Sequence, residues 1–385
     1  MASVQARHLR SCQAFPGRWT PAERSGKSSG CTCQPTFYLA VHHGARLVRE
    51  KVGKNRRVAE RLRDKRSVEV DEGTYQPLKR IRFGDWGPQW LDHLERKAST
   101  VASYRSTIAY AAAQFGERQV GNVQPADIAR LSHHLKTRGL ADSSRAKHLR
   151  VLGACFASAM EHGLAAQNPV RRLPRSERPR PSRKESAYFE TNELPRLFPQ
   201  IPEGVYRTLF MLALKTGIRQ GELLALRWGD ADLANQRIRV RHSFTGGTLT
   251  TPKNHERRDV DLTPDVVELL GVWWGECGKP EDQCLVFPGD GRSGHIAPST
   301  LVRRVLYPAM KRARIPREGP TGEKRTFHSL RHTFAKRALE NGRQITWLSR
   351  HLGHSTLKVT TDVYGHWEAE ERRREARKME GVFGV

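Results

Sequence analysis

Residues 205–226 read VYRTLFMLALKTGIRQGELLAL, and this stretch sets the plan of the largest domain. Its first half has apolar residues at helical spacing, and Gly217 then allows a tight break in the backbone. Arg219 follows at the boundary, and Glu222 comes three residues later, where the two side chains can pair. By itself this pattern fits either a surface ion pair or an arginine that faces a functional site.

A second segment, HSLRH at residues 328–332, combines histidine and arginine on one helical face. His328 and Arg331 are three residues apart, so both can point at one position in space. His328 and His332 also have the spacing of a zinc pair. The zincin pattern requires glutamate at the second position, and Ser329 stands there, which argues against a zinc hydrolase.

A third segment, LGHST at residues 352–356, precedes a tyrosine. It contains His354, and Tyr364 follows ten residues later. A single histidine or tyrosine is usually structural. Their occurrence in one chain with two arginines favours a common site.

Composition favours a polyanionic partner. The 385 residues include 67 Lys+Arg and 40 Asp+Glu, a formal net charge of +27. Neutralising phosphates releases counterions, so nucleic acid is the favoured partner, and a ribosome-associated factor is the simpler alternative. The sequence contains no run of about 18 apolar residues, so no membrane-spanning helix is predicted. No secretory signal is recognised, and six cysteines form no disulfide framework, which indicates the reducing cytoplasm.

The N-terminal part divides into two regions. Residues 1–35 are rich in Ser, Gly, Pro and Arg and are expected to be disordered. No metal site is predicted there, because Cys31 and Cys33 lack a second pair and Cys12 is a poor third ligand. Residues 36–78 have a strand–strand–helix pattern, and residues 1–80 carry 17 Lys/Arg against 7 Asp/Glu, which favours an accessory DNA-binding module.

The rest of the chain divides into four regions. Residues 80–170 predict a helical bundle, since four amphipathic stretches follow one another. Residues 171–186 (RRLPRSERPRPSRKES) have three prolines and a net charge of +5, which predicts an extended basic linker. Residues 187–366 form the largest domain, with helices and a few short strands. Residues 367–385 form a charged tail, and this pattern by itself fits a solvated helix.

Together the three segments resemble the tyrosine recombinases, or phage integrases, most strongly over residues 205–366. Thr216–Glu222 is similar to the first arginine box of that family, HSLRH to its His-x-x-Arg box, and LGHST with Tyr364-Gly to its last box. Residues 251–262 (TPKNHERRDVDL) resemble the hairpin that carries the family's catalytic lysine. Residues 36–78 resemble, weakly, the arm-type DNA-binding module of some integrases.

The resemblance implies a fold class and a set of roles. The fold would be mainly α with a small β-sheet: a helical core-binding (SAM-like) bundle, a mixed α/β catalytic domain and a small N-terminal α+β module. The implied roles are Tyr364 as nucleophile, Arg219 and Arg331 on the non-bridging phosphate oxygens, Lys253 as general acid, His328 in proton transfer at the tyrosine, His354 on the phosphate, and Glu222 in orienting Arg219 or a histidine. No metal, ATP or other cofactor is implied.

The implied function is site-specific recombination through a 3′-phosphotyrosyl intermediate that integrates or excises a mobile element. The alternatives are a chromosome- or plasmid-dimer resolving recombinase, a type IB topoisomerase, and a DNA-binding regulator that has lost catalysis. The implied partners are double-stranded DNA carrying an attachment site, three further copies in a homotetramer, and an excisionase or host DNA-bending factor. The resemblance also implies that the tail 367–385 is exchanged between protomers of the tetramer. The expected location is the cytoplasm, at the nucleoid, with no membrane partner.

Overall fold

The computed structural model describes residues 2–22, 33–43, 46–74, 77–182, 185–251, 258–290 and 293–365. The chain divides into two compact units, residues 1–182 and 183–385, and the boundary lies inside the predicted linker. Lys253 and the tail 367–385 lie outside the described residues. No described helix is long and apolar enough to cross a membrane.

The first unit begins with an antiparallel sheet in the order β2-β1-β3-β4. Its elements are β1 (Ala2–Arg7), β2 (Trp19–Pro21), β3 (Thr36–His43), β4 (Arg46–Gly53) and the helix α1 (Arg56–Asp71). Ala59 of the helix packs with the inward-facing side chains of β1 and β3, such as Val4 and Leu39. The strand–strand–helix prediction for residues 36–78 therefore agrees with the structure.

The prediction of disorder over residues 1–35 is wrong for the part that is described. β1 pairs with β3 from Ala2 opposite Val41 to Arg7 opposite Thr36, and β2 pairs with its other edge. Val4 and Ala6 alternate with polar residues and are buried. A strand with only two strongly buried side chains is a weak sequence signal, and its stability comes from the neighbouring strands.

The remainder of the first unit is a helical bundle, as predicted for residues 80–170. Its helices are α2 (Phe83–Asp92), α3 (Ala98–Phe115), α4 (Pro125–Thr137) and α5 (Asp142–Glu161). Their apolar faces meet around Phe83, Leu131 and Phe156, which are fully buried. Pro125 opens α4, where its missing N–H and fixed φ are tolerated.

The second unit contains nine helices among its described residues, around a small sheet. The helices are α6 (Leu194–Leu197), α7 (Val205–Thr216), α8 (Gln220–Leu223), α9 (Pro264–Glu276), α10 (Pro298–Thr300), α11 (Tyr307–Arg312), α12 (His328–Glu340), α13 (Ile345–Leu352) and α14 (Leu357–Tyr364), and a π-helical turn (Leu301–Leu306) precedes α11. The strands are β5 (Ala231–Asp232), β6 (Arg237–Val240), β7 (Ser243–Thr245), β8 (Thr248–Thr250) and β9 (Arg258–Asp261).

Two antiparallel groups of strands lie beside the helices: the sheet β5-β6-β9 and the hairpin β7-β8. Ile238 of β6 pairs with Val260 of β9, and both side chains are fully buried in the main core of this unit. The apolar face of α7 packs into the same core through residues such as Leu209 and Phe210. The predicted fold class, mainly α with small sheets, is confirmed.

Candidate active site

The site is built around the end of α7, where Gly217 reverses the backbone. Gly217 has φ +63°, and a Cβ there would lie 2.7 Å from a ring carbon of Phe334 and 2.9 Å from a methyl of Leu352. Only glycine fits this close, left-handed turn without displacing its neighbours. The turn aims the Gly217 carbonyl at Arg331, whose Nη1 donates to it at 2.7 Å.

Arg219 stands directly before α8 and is held by a buried carboxylate. Its Nη1 donates to Glu222 Oε1 at 3.0 Å, its backbone N–H donates to Glu222 Oε2 at 3.1 Å, and its Nη2 donates to the Gly353 carbonyl at 2.6 Å. The last contact joins the first predicted box to the third across 134 positions of sequence. Arg219 is therefore fixed in orientation while part of its side chain stays accessible.

Glu222 also binds a second arginine, Arg258, at the start of β9. Arg258 Nη1 and Nη2 donate to the two Glu222 oxygens at 3.0 and 2.7 Å, a bidentate pair. Burial alone would raise the pKa of Glu222, but the hydrogen bonds and charge of Arg258, with the charge of Arg219, lower it. The carboxylate is thus ionised at neutral pH and holds two guanidinium groups.

Arg331 lies deep in the unit, on the first turn of α12, and is 2% exposed. Besides Gly217, its Nη2 donates to the Leu352 carbonyl at 2.7 Å and to Nε2 of His354 at 2.9 Å. Burial, and then the charge of Arg219, lower the pKa of Arg331 to about 9, so the group is cationic at neutral pH. Nδ1 of His354 is 2.7 Å from the Thr360 hydroxyl, which fixes the imidazole ring between α12 and α14.

Tyr364 ends α14 with its side chain 1% exposed, so the phenol points into the unit. Its hydroxyl is 2.9 Å from Nδ1 of His332, and its ring stacks on His354 with centroids 6.2 Å apart. Burial raises the pKa of Tyr364 to about 12 against the opposing charge and hydrogen bond of Arg331. The phenol is therefore protonated at neutral pH and can donate to His332.

The histidines around Tyr364 are neutral at physiological pH. Burial, followed by nearby positive charge, lowers the pKa of His328 to about 4 and that of His354 to about 3. Burial and His328 lower the pKa of His332 to about 3. Neutral imidazoles can accept protons, and a bound phosphate would raise their proton affinity by adding a negative charge beside them.

The structure brings six of the seven predicted residues into this region, and Lys253 lies outside the described residues. Contacts link Arg219 with Glu222, and Arg331 with His354 and Tyr364. His328 touches the cluster through His332, with ring centroids 4.8 Å apart. It is not the hydroxyl's hydrogen-bond partner.

Sequence reasoning missed two members of the site, His332 and Arg258. His332 stands in the HSLRH box, where its spacing from His328 indicated only a zinc pair. Its helical position one turn after His328 was the signal that could have identified it. Arg258 lies in the segment 251–262, in which the sequence analysis names only Lys253, and no sequence signal relates Arg258 to Glu222, which lies 36 positions earlier.

The charge of the site suits a phosphodiester. Three guanidinium groups (Arg219, Arg258, Arg331; +3) and one carboxylate (Glu222; −1) leave a net charge of +2. Such preorganised donors stabilise charge that develops on phosphate oxygens. Among the described residues, the histidines, cysteines and carboxylates placed to hold a metal lie in the N-terminal module and not here.

Comparison with known proteins decides the family. Residues 188–371 match the family model described as the phage integrase family, and that range contains every predicted site residue. This range, which makes up most of the second unit, belongs to the phage integrase family of tyrosine recombinases. A tyrosine recombinase XerC-like protein of Caldanaerobacter subterraneus subsp. tengcongensis is 22% identical over 382 residues, which cover 90% of this chain and 95% of the relative.

Two further proteins are similar to this chain. A putative prophage phiRv2 integrase of Mycobacterium tuberculosis is 28% identical over 281 residues, which cover 71% of this chain and 72% of the relative. The crystal structure of a lambda integrase tetramer bound to a Holliday junction superposes with a TM-score of 0.58 at 18% identity, covering 83% of this chain and 90% of that one. The superposition establishes a shared fold.

Proposed function

We propose that this recombinase cuts and rejoins DNA strands at defined sites through a 3′-phosphotyrosyl intermediate, and that it integrates or excises a mobile element. The observation that carries the proposal is the position of the Tyr364 hydroxyl, 2.9 Å from a neutral imidazole and next to the positive charge of the buried Arg331. A tyrosine so placed among arginines suits phosphoryl transfer through a covalent intermediate.

In the first step the Tyr364 oxygen attacks the scissile phosphorus and forms a P–O bond. The phenolic proton passes to His332, the base within hydrogen-bond distance. Arg219 and Arg331 hold the non-bridging oxygens, whose charge grows in the transition state. The bond from phosphorus to the 5′ oxygen breaks, and we assign the proton for that leaving oxygen to Lys253. His354 hydrogen-bonds the phosphate, and Glu222 positions Arg219 together with Arg258.

The role assigned to His328 changes within this scheme. The family resemblance places it in proton transfer at the tyrosine, whereas His332 contacts the hydroxyl and His328 packs edge-on against the His332 ring. We therefore assign His328 to orienting His332 and to the phosphate side of the site, next to the charges of Arg331 and Arg219.

Strand exchange follows from the covalent intermediate. The phosphotyrosyl bond stores the energy of the broken phosphodiester, so the 5′-hydroxyl of a partner strand can displace Tyr364 without ATP. Two duplexes cut on both strands require four active sites, which supports a homotetramer on DNA. The lambda integrase in the comparison is itself a tetramer on a Holliday junction. An excisionase or a DNA-bending host protein would set the direction, and the expected location is the cytoplasm, at the nucleoid.

Covalent trapping tests the proposal. The protein is incubated, without added metal, with DNA that spans both ends of the element carrying its gene and has a nick near the crossover. We expect an adduct that resists denaturants for the natural protein and for Tyr206→Phe, which removes a hydroxyl elsewhere in the same unit. Tyr364→Phe should bind the DNA and give no adduct. An adduct with Tyr364→Phe would refute the nucleophile, and tight binding with no adduct for any protein would favour the inactive regulator.

A second candidate, a dimer-resolving recombinase, is supported by the XerC-like relative that aligns with 90% of this chain. Both candidates share the chemistry and differ in their DNA sites. Recombination between two identical, directly repeated sites would favour the resolvase. A requirement for two different sites would favour the integrase.

A further inference from the structure

Three side chains that can bind a metal converge at one end of the N-terminal sheet. His8 directly follows β1, Cys12 lies in the turn after it, and Cys33 lies just before β3. Nδ1 of His8 is 3.3 Å from Sγ of Cys33 and 3.8 Å from Sγ of Cys12. All three ligand atoms lie within 4.8 Å of one another, and His8 and Cys12 are each 3% exposed.

These distances match a tetrahedral zinc site. With Zn–S near 2.3 Å and Zn–N near 2.0 Å, a tetrahedral ion separates nitrogen from sulfur by about 3.5 Å. The two observed nitrogen–sulfur distances lie on either side of that value. One imidazole with two thiolates binds zinc in preference to magnesium or calcium, which favour oxygen ligands.

The groups around the three ligands also suit a bound metal. Nε2 of His8 is 2.8 Å from the buried Thr20 hydroxyl on β2, which leaves Nδ1 facing the two sulfurs. Metal-binding histidines commonly hold their other ring nitrogen in this way. The backbone N–H of Phe15 donates to Sγ of Cys12 at 3.3 Å, a contact that stabilises a thiolate.

A metal ion that links its strands would add stability to the N-terminal module. Among the described residues of the module, the core cluster contains seven buried apolar residues, three of them alanine: Val4, Ala6, Ala22, Phe37, Leu39, Val41 and Ala59. Domains of this size often need a metal or a disulfide, because so small a core supplies little stability. His8 and Cys12 lie in the connection between β1 and β2, and Cys33 lies at the end of the β2–β3 connection. One ion would therefore fasten the end of β1 to the approach to β3.

We propose that His8, Cys12 and Cys33 supply three of the four ligands of a structural zinc ion that organises the basic N-terminal module. The sequence alone argued against a metal here, because Cys12 was a poor third ligand and His8 was not considered. The strand pairing of β1 with β3 supplies what the sequence lacked, since it brings residue 33 beside residue 8. The proposal is independent of the recombinase chemistry, which takes place in the other unit.

Metal content of the full-length protein tests the site. Protein purified under reducing conditions without chelators should contain about one zinc ion per chain by mass spectrometry. Cys12→Ser and Cys33→Ser should each lose most of it. Cys284→Ser, an exposed cysteine of the second unit, is the matched control and should retain it. Absence of zinc from the natural protein, or zinc retained in both ligand variants, would overturn the proposal.

A second measurement uses the natural protein and does not depend on how the variants fold. Cobalt added to the reduced, metal-free chain should produce the thiolate charge-transfer and tetrahedral d–d absorption of a site with two sulfurs. Zinc added afterwards should displace the cobalt and abolish the bands. No cobalt spectrum, or a Cys12–Cys33 disulfide found by alkylation and peptide mapping in the freshly isolated protein, would overturn the zinc site.

Discussion

Gly217 joins the turn after α7 to the arginine site, so replacing it with alanine tests how that turn is built. The new Cβ would sit 2.7 Å from Phe334 and 2.9 Å from Leu352, and the residue would keep φ near +63°. Left-handed backbone costs a non-glycine residue about 1–2 kcal/mol, and overpacking a tight core costs about 1–3 kcal/mol. Gly217→Ala should therefore lower the free energy of unfolding by about 2–5 kcal/mol.

Gly246 supplies a matched control in the same unit. Its φ is +61°, almost that of Gly217, but no atom lies within 4 Å of a Cβ placed there. Gly246→Ala should lose only the backbone contribution, about 1–2 kcal/mol. The difference between the two variants isolates the packing against Phe334 and Leu352.

Urea unfolding of both variants and the natural protein measures the effect, and covalent trapping on nicked DNA measures its consequence. Gly217→Ala should also cleave more slowly, because the Gly217 carbonyl that holds Arg331 would move. Equal destabilisation by the two substitutions would refute the close packing at Gly217. Normal cleavage by a strongly destabilised Gly217→Ala would refute the link between the turn and Arg331.

Three further predictions concern the charged and titrating groups of the site. Glu222→Gln should lower the free energy of unfolding by about 3 kcal/mol, because it leaves the buried Arg258 without its carboxylate. It should also slow adduct formation by about 100-fold, because Arg219 loses its orientation. Urea unfolding and single-turnover cleavage measure the two effects, and an unchanged cleavage rate would contradict the positioning role of Glu222. His332→Ala should slow adduct formation more than His328→Ala in the same single-turnover assay, and the reverse order would return the proton-transfer role to His328. The pKa values of the buried histidines, about 4 for His328 and about 3 for His332, lie below the ordinary value of 6.5, so at a pH between these values the unfolded chain binds more protons than the folded chain. The stabilisation from these histidines should therefore be fully present above pH 6.5 and decrease as the pH falls below it. Urea midpoints that stay constant from pH 7 to pH 5 would contradict the burial of these histidines as neutral groups.

Local sequence was sufficient where one segment carries its own periodicity. The apolar pattern of α7 and the glycine after it predicted the helix and its end. Four successive amphipathic stretches predicted the bundle α2–α5. These features depend on neighbours within a few positions, so they can be read without knowing the fold. β1 escaped notice because its stability comes from β3, more than thirty positions away.

The residues of the candidate site also divide into those that local sequence predicts and those that only the fold identifies. The boxes supplied Arg219, His328, Arg331, His354 and Tyr364, because each residue type and spacing is local.

What only the tertiary structure decided is which atoms meet. It put His332, and not His328, on the Tyr364 hydroxyl, and it brought Arg258 to Glu222. It also brought Cys33 to His8 at the end of the sheet. Each of these contacts joins residues at least 25 positions apart, and a hydrogen bond or metal ligand set depends on distances of a few ångströms that only packing fixes.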